Sequence, residues 1–499
     1  MGPPREIAAA LGTTYREMTL PEALTRSRFD IVAIGGGTAG LVTAAGAATL
    51  GLRAALIERE ALGGDCLWTG CVPSKALIAS ARLAHAMRHA DRLGLAGATP
   101  AHVLHQVMDR MRRAREQVAH HDDPARFRGM GVEVAFGTAR VTRPDRVEVN
   151  GNLLRTKHIV VATGSHPTAP DVPGLAAAGF LTHVTAFEQN ALPARIAILG
   201  GGPIGLEFAQ IYRRLGAEVV LFEMLPRLLP REDPEASAVL LECLRAEGVT
   251  VHVDCAIERV EPRLGGRHRL EARAGDGEAI AEDVDAIFVA TGRRANGEGL
   301  GLEGVGVALE RGAVAVDGTL RSTVPTIWAA GDVSGGLQFT HVADYQAKLV
   351  LRNILSPVRA AARYDAVPWV TYTDPEVARV GLTEDEARER HGAITVYRYP
   401  FAELDRAITD GATEGFVKIV TGRGARILGA TIVGHGAGEL LPSIVLMMRE
   451  GLPVSRLSQF IWAYPTMAEG VKRAADTYYR RALTGWKGAL LRKAARWLV

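Results

Sequence analysis

Two cysteines separated by four residues, Cys66 and Cys71, hold the chemistry most open to reading in this chain of 499 residues. They lie in Gly63-Gly64-Asp65-Cys66-Leu67-Trp68-Thr69-Gly70-Cys71-Val72-Pro73-Ser74-Lys75. If this segment opens a helix, the spacing lets the two sulfurs meet. A helix N-terminus also lowers a thiol's pKa, and the thiolate is the reactive form. The expected chemistry is thus redox exchange at a close cysteine pair. Cys243 and Cys255 read instead as buried free thiols, on a helical stretch and at a strand end.

Such a pair needs a source of electrons, and the flanking sequence supplies a candidate. An apolar run at 29–34 leads into Gly35-Gly36-Gly37-Thr38-Ala39-Gly40, then an alanine-rich helical stretch, then a strand at 54–57 ending at Glu58. This βαβ pattern puts Gly35, Gly37 and Gly40 at the dinucleotide fingerprint positions. Glycine there lets the backbone approach a pyrophosphate at the helix N-terminus. Glu58 is placed to accept hydrogen bonds from an adenosine ribose. The pattern recurs with a strand at 195–199, glycines Gly200, Gly202 and Gly205, a helix, and a strand ending at Glu223. The offset from Gly35 to Glu58 equals that from Gly200 to Glu223. One fingerprint is a weak signal, whereas two with matched acids are strong. Two nucleotide sites and a cysteine pair suggest an electron path from nicotinamide to flavin to disulfide.

The length allows about three domains. At 47% hydrophobic and 23% charged residues the composition is globular, and a net charge of +3 gives no reason to expect nucleic-acid binding. Four cysteines are too few for a secreted disulfide scaffold of this size. A reducing cytoplasm is the expected setting, where a disulfide is catalytic rather than structural. No apolar run is long enough to span a bilayer. Residues 1–28 carry no signal-peptide core, since Pro3, Pro4, Arg5 and Glu6 interrupt it, and read as a short helical extension.

Helical sequence runs from 74 to about 128, followed by strands that carry Ala162-Thr163-Gly164. Ala290-Thr291-Gly292 closes the second nucleotide unit, and 326–332 reads as a strand ending in the acidic turn Gly331-Asp332. From about 364, strand-like runs at 370–372, 416–420 and 427–433 mark a separate α+β domain. The expected fold class is α/β: two Rossmann-like, three-layer nucleotide domains and a C-terminal α+β domain.

These motifs together resemble the flavoprotein disulfide reductases that use pyridine nucleotides, a family that includes dihydrolipoamide dehydrogenase, glutathione reductase and mercuric reductase. The resemblance covers about residues 29–480, with five motifs in family order. It implies an FAD-binding domain at 29–178 and 293–362, an NAD(P)-binding domain at 179–292 and a homodimerisation domain at 363–478. It also implies that Gly35, Gly37, Gly40, Glu58, Thr163, Gly164, Gly331 and Asp332 hold FAD. Gly200, Gly202, Gly205, Glu223 and Gly292 would hold the nicotinamide cofactor. By the same resemblance Cys71 is the thiolate nearest the flavin and Cys66 meets the acceptor. Lys75 lies near the flavin, paired with Glu207, as a cation that favours negative charge on the reduced ring. A carboxylate at Glu223 bonds a ribose 2′-hydroxyl and repels a 2′-phosphate, so NADH is preferred. Arg227 nearby keeps NADPH possible.

The chain departs from the family at instructive places. Disulfide-exchanging members use a His-Pro-Thr segment as acid/base, with a glutamate three residues after the threonine. Here the segment is Tyr464-Pro465-Thr466-Met467-Ala468-Glu469. An unperturbed tyrosine, with pKa about 10, is a poor base at neutral pH. Mercuric reductase resembles this chain there, yet the cysteine pairs that capture metal at its two ends have no counterpart here. Trp68 and Asp65 replace a usual asparagine and threonine around Cys66.

The expected function is therefore an FAD-dependent NAD(P)H oxidoreductase. It would pass electrons through Cys66–Cys71 to a soft metal ion or a small disulfide. The cysteines would be transient ligands, with no permanent metal site. Dihydrolipoamide dehydrogenase is the alternative within the class, and a low-turnover redox sensor or metal-binding protein the alternative outside it. Residues 479–499 form a basic, amphipathic tail: six basic residues follow from Arg480 with no acidic one, and Tyr479, Leu483, Trp486, Leu490 and Trp497 share a helical face. That pattern suits peripheral contact with an anionic membrane.

Overall fold

The computed structural model describes residues 28–100, 104–484 and 486–498. Except for Arg28, the expected N-terminal extension lies outside them.

The first nucleotide domain is built on a seven-stranded sheet. Strands Val132–Phe136, Ala54–Glu58 and Arg28–Ile34 run parallel in that order, with Ile31 opposite Ala54. The inner strands are buried on both faces, and so their sequences read as continuous apolar runs rather than alternating ones. The next strand, Asn152–Val161, is the pivot. Its first half pairs antiparallel with Arg146–Val149, and its last residues pair parallel with Ile327–Ala329. Three loops therefore leave the carboxyl edge of the sheet side by side: Gly35 to Gly40, Ala162 to Gly164, and Ala330 to Asp332. Open parallel sheets bind ligands at this edge.

The second nucleotide domain repeats the plan with four parallel strands in the order Thr250–His252, Glu218–Phe222, Arg195–Leu199 and Ala286–Val289. A three-stranded antiparallel sheet, Cys255–Pro262, His268–Ala274 and Ala279–Val284, packs against it. The chain enters and leaves this unit through a short ribbon, Ser165–Pro167 paired antiparallel with Arg293–Ala295.

The C-terminal domain is a five-stranded antiparallel sheet, in the order Pro368–Thr371, Glu376–Gly381, Ile427–Gly434, Phe416–Thr421 and Thr395–Pro400. Helices Ala437–Arg449 and Glu469–Thr484 pack on it. Strands Glu376–Gly381 and Thr395–Pro400 are absent from the sequence reading. In the first, Glu376 and Arg379 are buried as ion pairs with Arg82 and Glu386, and this hides the apolar pattern. The α/β class with two nucleotide units and a C-terminal domain is borne out. Among the described residues, no helix is long and apolar enough to cross a membrane.

Candidate active site

Glycine geometry brings the cysteine pair to the first nucleotide loop. Gly63 (φ +105°) and Gly64 (φ +58°) open a short helix, Gly64–Trp68, that carries Cys66. A Cβ on Gly64 would lie 2.8 Å from Gly37 Cα, so the thiol segment rests directly on the fingerprint turn. At Gly70 a Cβ would lie 2.8 Å from Asp65 O, which fixes a tight corner before the long helix Cys71–Arg88. Cys71 is thus the first residue of one helix, and Cys66 sits in the helix before it.

Both sulfurs are free thiols here, and they hydrogen-bond each other. Cys71 is the acidic member, lowered to about 6. The hydrogen bond from Cys66 does most of this, against burial, with help from Lys75 and from Thr340, whose Oγ1 is 3.7 Å from Cys71 Sγ. The same bond, together with burial, pushes the Cys66 thiol far up. One helical turn beyond Cys71, Lys75 Nζ donates to Glu207 Oε2 at 2.8 Å and stands 4.4 Å from the centre of the Tyr372 ring. Burial opposes the charge on Lys75, but Glu207, Cys71 and Tyr372 outweigh it, and its pKa rises. Glu207 also accepts from Tyr372 N at 2.9 Å.

The two departures beside Cys66 are each held by partners of their own. Trp68 is buried, donating from Nε1 to Leu62 O at 2.7 Å, with the Arg115 guanidinium 5.5 Å from its ring centre. Asp65 accepts from Thr69 Oγ1 at 2.5 Å and from Arg293 Nη2 at 2.8 Å. Burial acts against its charge, yet His183, Arg293 and Thr69 hold the carboxyl well below the usual range. Arg293 Nη1 lies 2.7 Å from His183 Nε2, and the same ring nitrogen lies 3.4 Å from Asp65 Oδ1. Arg293 Nε donates to Ser165 Oγ, which donates in turn to Asp332 Oδ2 at 2.5 Å. One polar chain thus ties the Cys66 helix to the ribbon and to the acidic turn. Thr340, Tyr372, His183, Arg293 and Ser165 are missing from the sequence reading. Ser165 and Arg293 each had a signal, directly after Ala162-Thr163-Gly164 and Ala290-Thr291-Gly292.

The nucleotide loops fit dinucleotides. Gly35 (φ +109°) and Gly200 (φ +110°) take the same left-handed conformation, and a Cβ on either would lie 2.3 Å and 2.6 Å from the carbonyl oxygens of Ala162 and Ala290. Gly40 and Gly205 are closed off by the carbonyls of Gly35 and Gly200. A Cβ on Gly202, by contrast, would meet nothing within 4 Å, and one on Gly37 only Gly64 Cα at 3.9 Å, leaving each loop open on the cavity side. Glu58 accepts from Gly36 N and Glu60 N at 2.5 and 2.8 Å, and Glu223 from Gly201 N and Leu225 N at 2.7 and 2.8 Å. Arg227 donates to the carbonyls of Glu232 and Pro230, both at 2.8 Å. Thr163 Oγ1 donates to Asn296 O, Thr163 O accepts from Asn296 Nδ2, and Gly164 O and Gly292 O accept from Asn296 N and Thr168 N, so these turns also pin the ribbon. All the loops and the cysteine pair line one cavity of about 3820 Å³, several times the roughly 300–1,000 Å³ of a single-ligand pocket.

Tyr464 and Glu469 stand apart. Tyr464 is 68% exposed and donates to Asp405 Oδ2 at 3.1 Å, while Glu469 is buried and paired with Arg473 at 2.8 Å. Neither lines the cavity.

Residues 29–347 match the pyridine nucleotide-disulphide oxidoreductase model, and residues 367–475 match that family's dimerisation domain. The chain belongs to this family. Mercuric reductase of Streptomyces lividans is 37% identical over 90% of this chain and 96% of that one. Dihydrolipoyl dehydrogenase of Zymomonas mobilis is 33% identical over 91% and 99%. Among solved structures, the HOCl-induced flavoprotein disulfide reductase RclA from Escherichia coli superposes with a TM-score of 0.80 at 29% identity, covering 90% of this chain and 99% of that one. Its Cu(II) complex does so at 28% identity, again with a TM-score of 0.80. This pyridine nucleotide-disulphide oxidoreductase is an enzyme, and its family is FAD-dependent with NAD(P)H.

Proposed function

We propose that this oxidoreductase passes electrons from NADH through the Cys66–Cys71 pair to a soft, thiolate-binding metal ion, with Cys66 as the sulfur that meets it. Bound flavin and nicotinamide supply the hydride chemistry. Gly35, Gly37, Gly40, Glu58, Thr163, Gly164, Gly331 and Asp332 hold FAD in this reading. Gly200, Gly202, Gly205, Glu223 and Gly292 hold the nicotinamide cofactor. The disulfide takes two electrons and two protons to become the dithiol. Thiolate ligation of Hg(II), or of two Cu(II) ions in turn, returns both electrons to the metal. That step re-forms the S–S bond and releases two protons, giving Hg(0) or two Cu(I).

The observation that carries this reading is the state of Tyr464. Exchange with a disulfide substrate needs an acid/base for the leaving thiol. Here the phenol donates to Asp405, and that bond raises its pKa further above neutrality. A soft metal ion is taken up by ligand exchange, without cleavage of a substrate S–S bond, and thiolates favour such ions. Relatives named mercuric reductase and a Cu(II) complex of RclA agree with that choice. The dimerisation domain supports a homodimer, in which the exposed strip Phe460, Ile461 and Tyr464 is covered by a second copy.

The test is NADH consumption by the FAD-loaded enzyme with Hg(II) in excess thiol, with Cu(II), and with lipoamide. Turnover with a metal and not with lipoamide is expected. Turnover with lipoamide alone would move the enzyme to the dihydrolipoamide dehydrogenase type. Slow reduction with every acceptor, at normal FAD content, would favour a redox sensor.

We read NADH rather than NADPH from Glu223, a buried carboxylate at the end of the second fingerprint that would repel a 2′-phosphate, and from Arg227, whose guanidinium is engaged by its own loop. Glu223→Arg is expected to shift the NADH:NADPH ratio of kcat/KM by about 10²-fold toward NADPH, the size of two charge-assisted hydrogen bonds. An unchanged ratio would remove Glu223 from the cofactor site.

A further inference from the structure

The last two helices take no part in the site described above. Glu469–Thr484 packs on the C-terminal sheet, and Trp486–Leu498 packs on Glu469–Thr484. The corner between them is closed. Gly488 is buried, with room for no Cβ, since one would lie 1.7 Å from Leu483 O. Arg492 Nη1 donates to that same carbonyl at 2.6 Å. The final helix is therefore held at a defined place.

Its surface is divided. At 100° per residue, Leu490, Ala494 and Trp497 fall within one narrow arc, and Lys493, Arg496 and Arg492 fill the arc beside it. Leu490 is 58% and Trp497 92% exposed, and Leu483 just before the corner is 47% exposed. Arg480, Arg492, Lys493 and Arg496 are exposed as well, and no acidic residue follows Asp476. Two residues of the expected tail, one from its apolar face and one of its basic residues, belong to the domain instead. Tyr479 accepts from Gln459 Nε2, and Arg481 stands over the Tyr397 ring. The free surface is thus narrower than the sequence pattern, and it lies on the final helix and the corner.

Charge decides what covers this surface. A second tail of the same kind would bring cation against cation, which is unfavourable at an interface. An anionic bilayer offers phosphate groups for the arginines and lysine. It also offers an acyl boundary for Leu490 and for Trp497, a residue type enriched at that depth. At 13 residues the helix is about 20 Å long, too short to cross the roughly 30 Å hydrocarbon core.

We propose that the helix Trp486–Leu498 lies in the headgroup plane of an anionic membrane, with Leu490 and Trp497 at the acyl boundary and Arg492, Lys493 and Arg496 among the phosphates. The enzyme would then work as a peripheral membrane protein, whatever its electron acceptor. The experiment is co-sedimentation of the full-length, FAD-loaded enzyme with vesicles. One set contains phosphatidylglycerol and phosphatidylcholine in equal parts, the other phosphatidylcholine alone. Binding to the anionic set is expected to be at least about tenfold stronger. It should fall about tenfold at 1 M salt, where the screening length is about 3 Å. Lys493→Glu/Arg496→Glu should reduce it about tenfold or more, and Leu490→Ala/Trp497→Ala similarly. NADH oxidation by both variants should stay at the parent rate, which shows that they fold. Equal binding to the two vesicle sets, or anionic binding unchanged in the variants, would overturn the proposal. So would a vesicle-free sedimentation velocity result in which Leu490→Ala/Trp497→Ala lowers the mass of the assembly, because the face would then be buried between copies.

Discussion

Cys66→Ser is expected to stop electron delivery to every acceptor, by about 10³-fold or more, with FAD content unchanged. A dithiol cannot cycle on one sulfur. Neither remaining cysteine can stand in. Cys255 is buried and its N–H bonds to Glu223 O, at the second nucleotide site, while Cys243 lies on helix Pro234–Ala246. The pair also has a signature independent of turnover. Cys71 is lowered to about 6, first by the hydrogen bond from Cys66, so the reduced protein should carry one thiolate that titrates near that pH. Below it Cys71 is protonated, and any step that uses its thiolate slows as pH falls through about 6. Absorbance near 240 nm follows the thiolate directly. Cys66→Ala removes the hydrogen bond and should move the titration up toward an ordinary thiol. Cys66→Ser keeps a hydroxyl donor and should move it less. Cys71→Ser should erase it. If Cys66→Ala titrated like the parent protein, Lys75 and Thr340 would have to hold the charge instead, and the assignment of Cys66 as the donor would fail.

What could be read from sequence was what local chemistry forces. Gly35 and Gly200 need a left-handed backbone and a carbonyl pressed against them. Such demands leave a spacing in the chain that survives without any knowledge of the fold. Around the cysteines, Gly63 and Gly64 need the left-handed backbone, and Gly70 has the Asp65 carbonyl pressed against it. Partners far along the chain left no such mark. Thr340 meets Cys71 across 269 positions, and Arg293 meets Asp65 across 228. Each is an ordinary threonine or arginine until strand order brings it to the same edge. Asp65 and Trp68 could be seen as departures, but their direction could not, because it depends on Arg293, His183, Leu62 and Arg115. The sequence reading of the tail was too broad for a similar reason. Tyr479 and Arg481 share its pattern, but Gln459 and Tyr397 claim them for the domain.

Lys75→Met is expected to slow NADH-dependent reduction of the cysteine pair by about 10²-fold, the usual cost of removing one preorganised electrostatic partner. It should also lower stability by about 2 kcal/mol. The two effects have different origins, and a second variant separates them. Lys75 lies on the cysteine helix and Glu207 on helix Pro203–Leu215, so their 2.8 Å contact joins the thiol segment to the second nucleotide unit. The Glu207 side chain is only 7% exposed, while that of Lys75 is 35% exposed. Taking the lysine away leaves a buried carboxylate with, among the described residues, only Tyr372 N as a donor. Removing one partner of a fully buried pair costs about 3–5 kcal/mol, and the partial exposure of Lys75 argues for less. In Lys75→Met/Glu207→Gln the stranded charge is gone, so most of the lost Tm should return. The rate should not, because the charge that Lys75 holds one turn beyond Cys71 is then still missing. If rate and Tm were both restored, Lys75 would be a fastener between the two units and nothing more. If Tm alone returned, Lys75 would act on the transferred charge, and the buried glutamate would be the means by which the fold keeps a cation there.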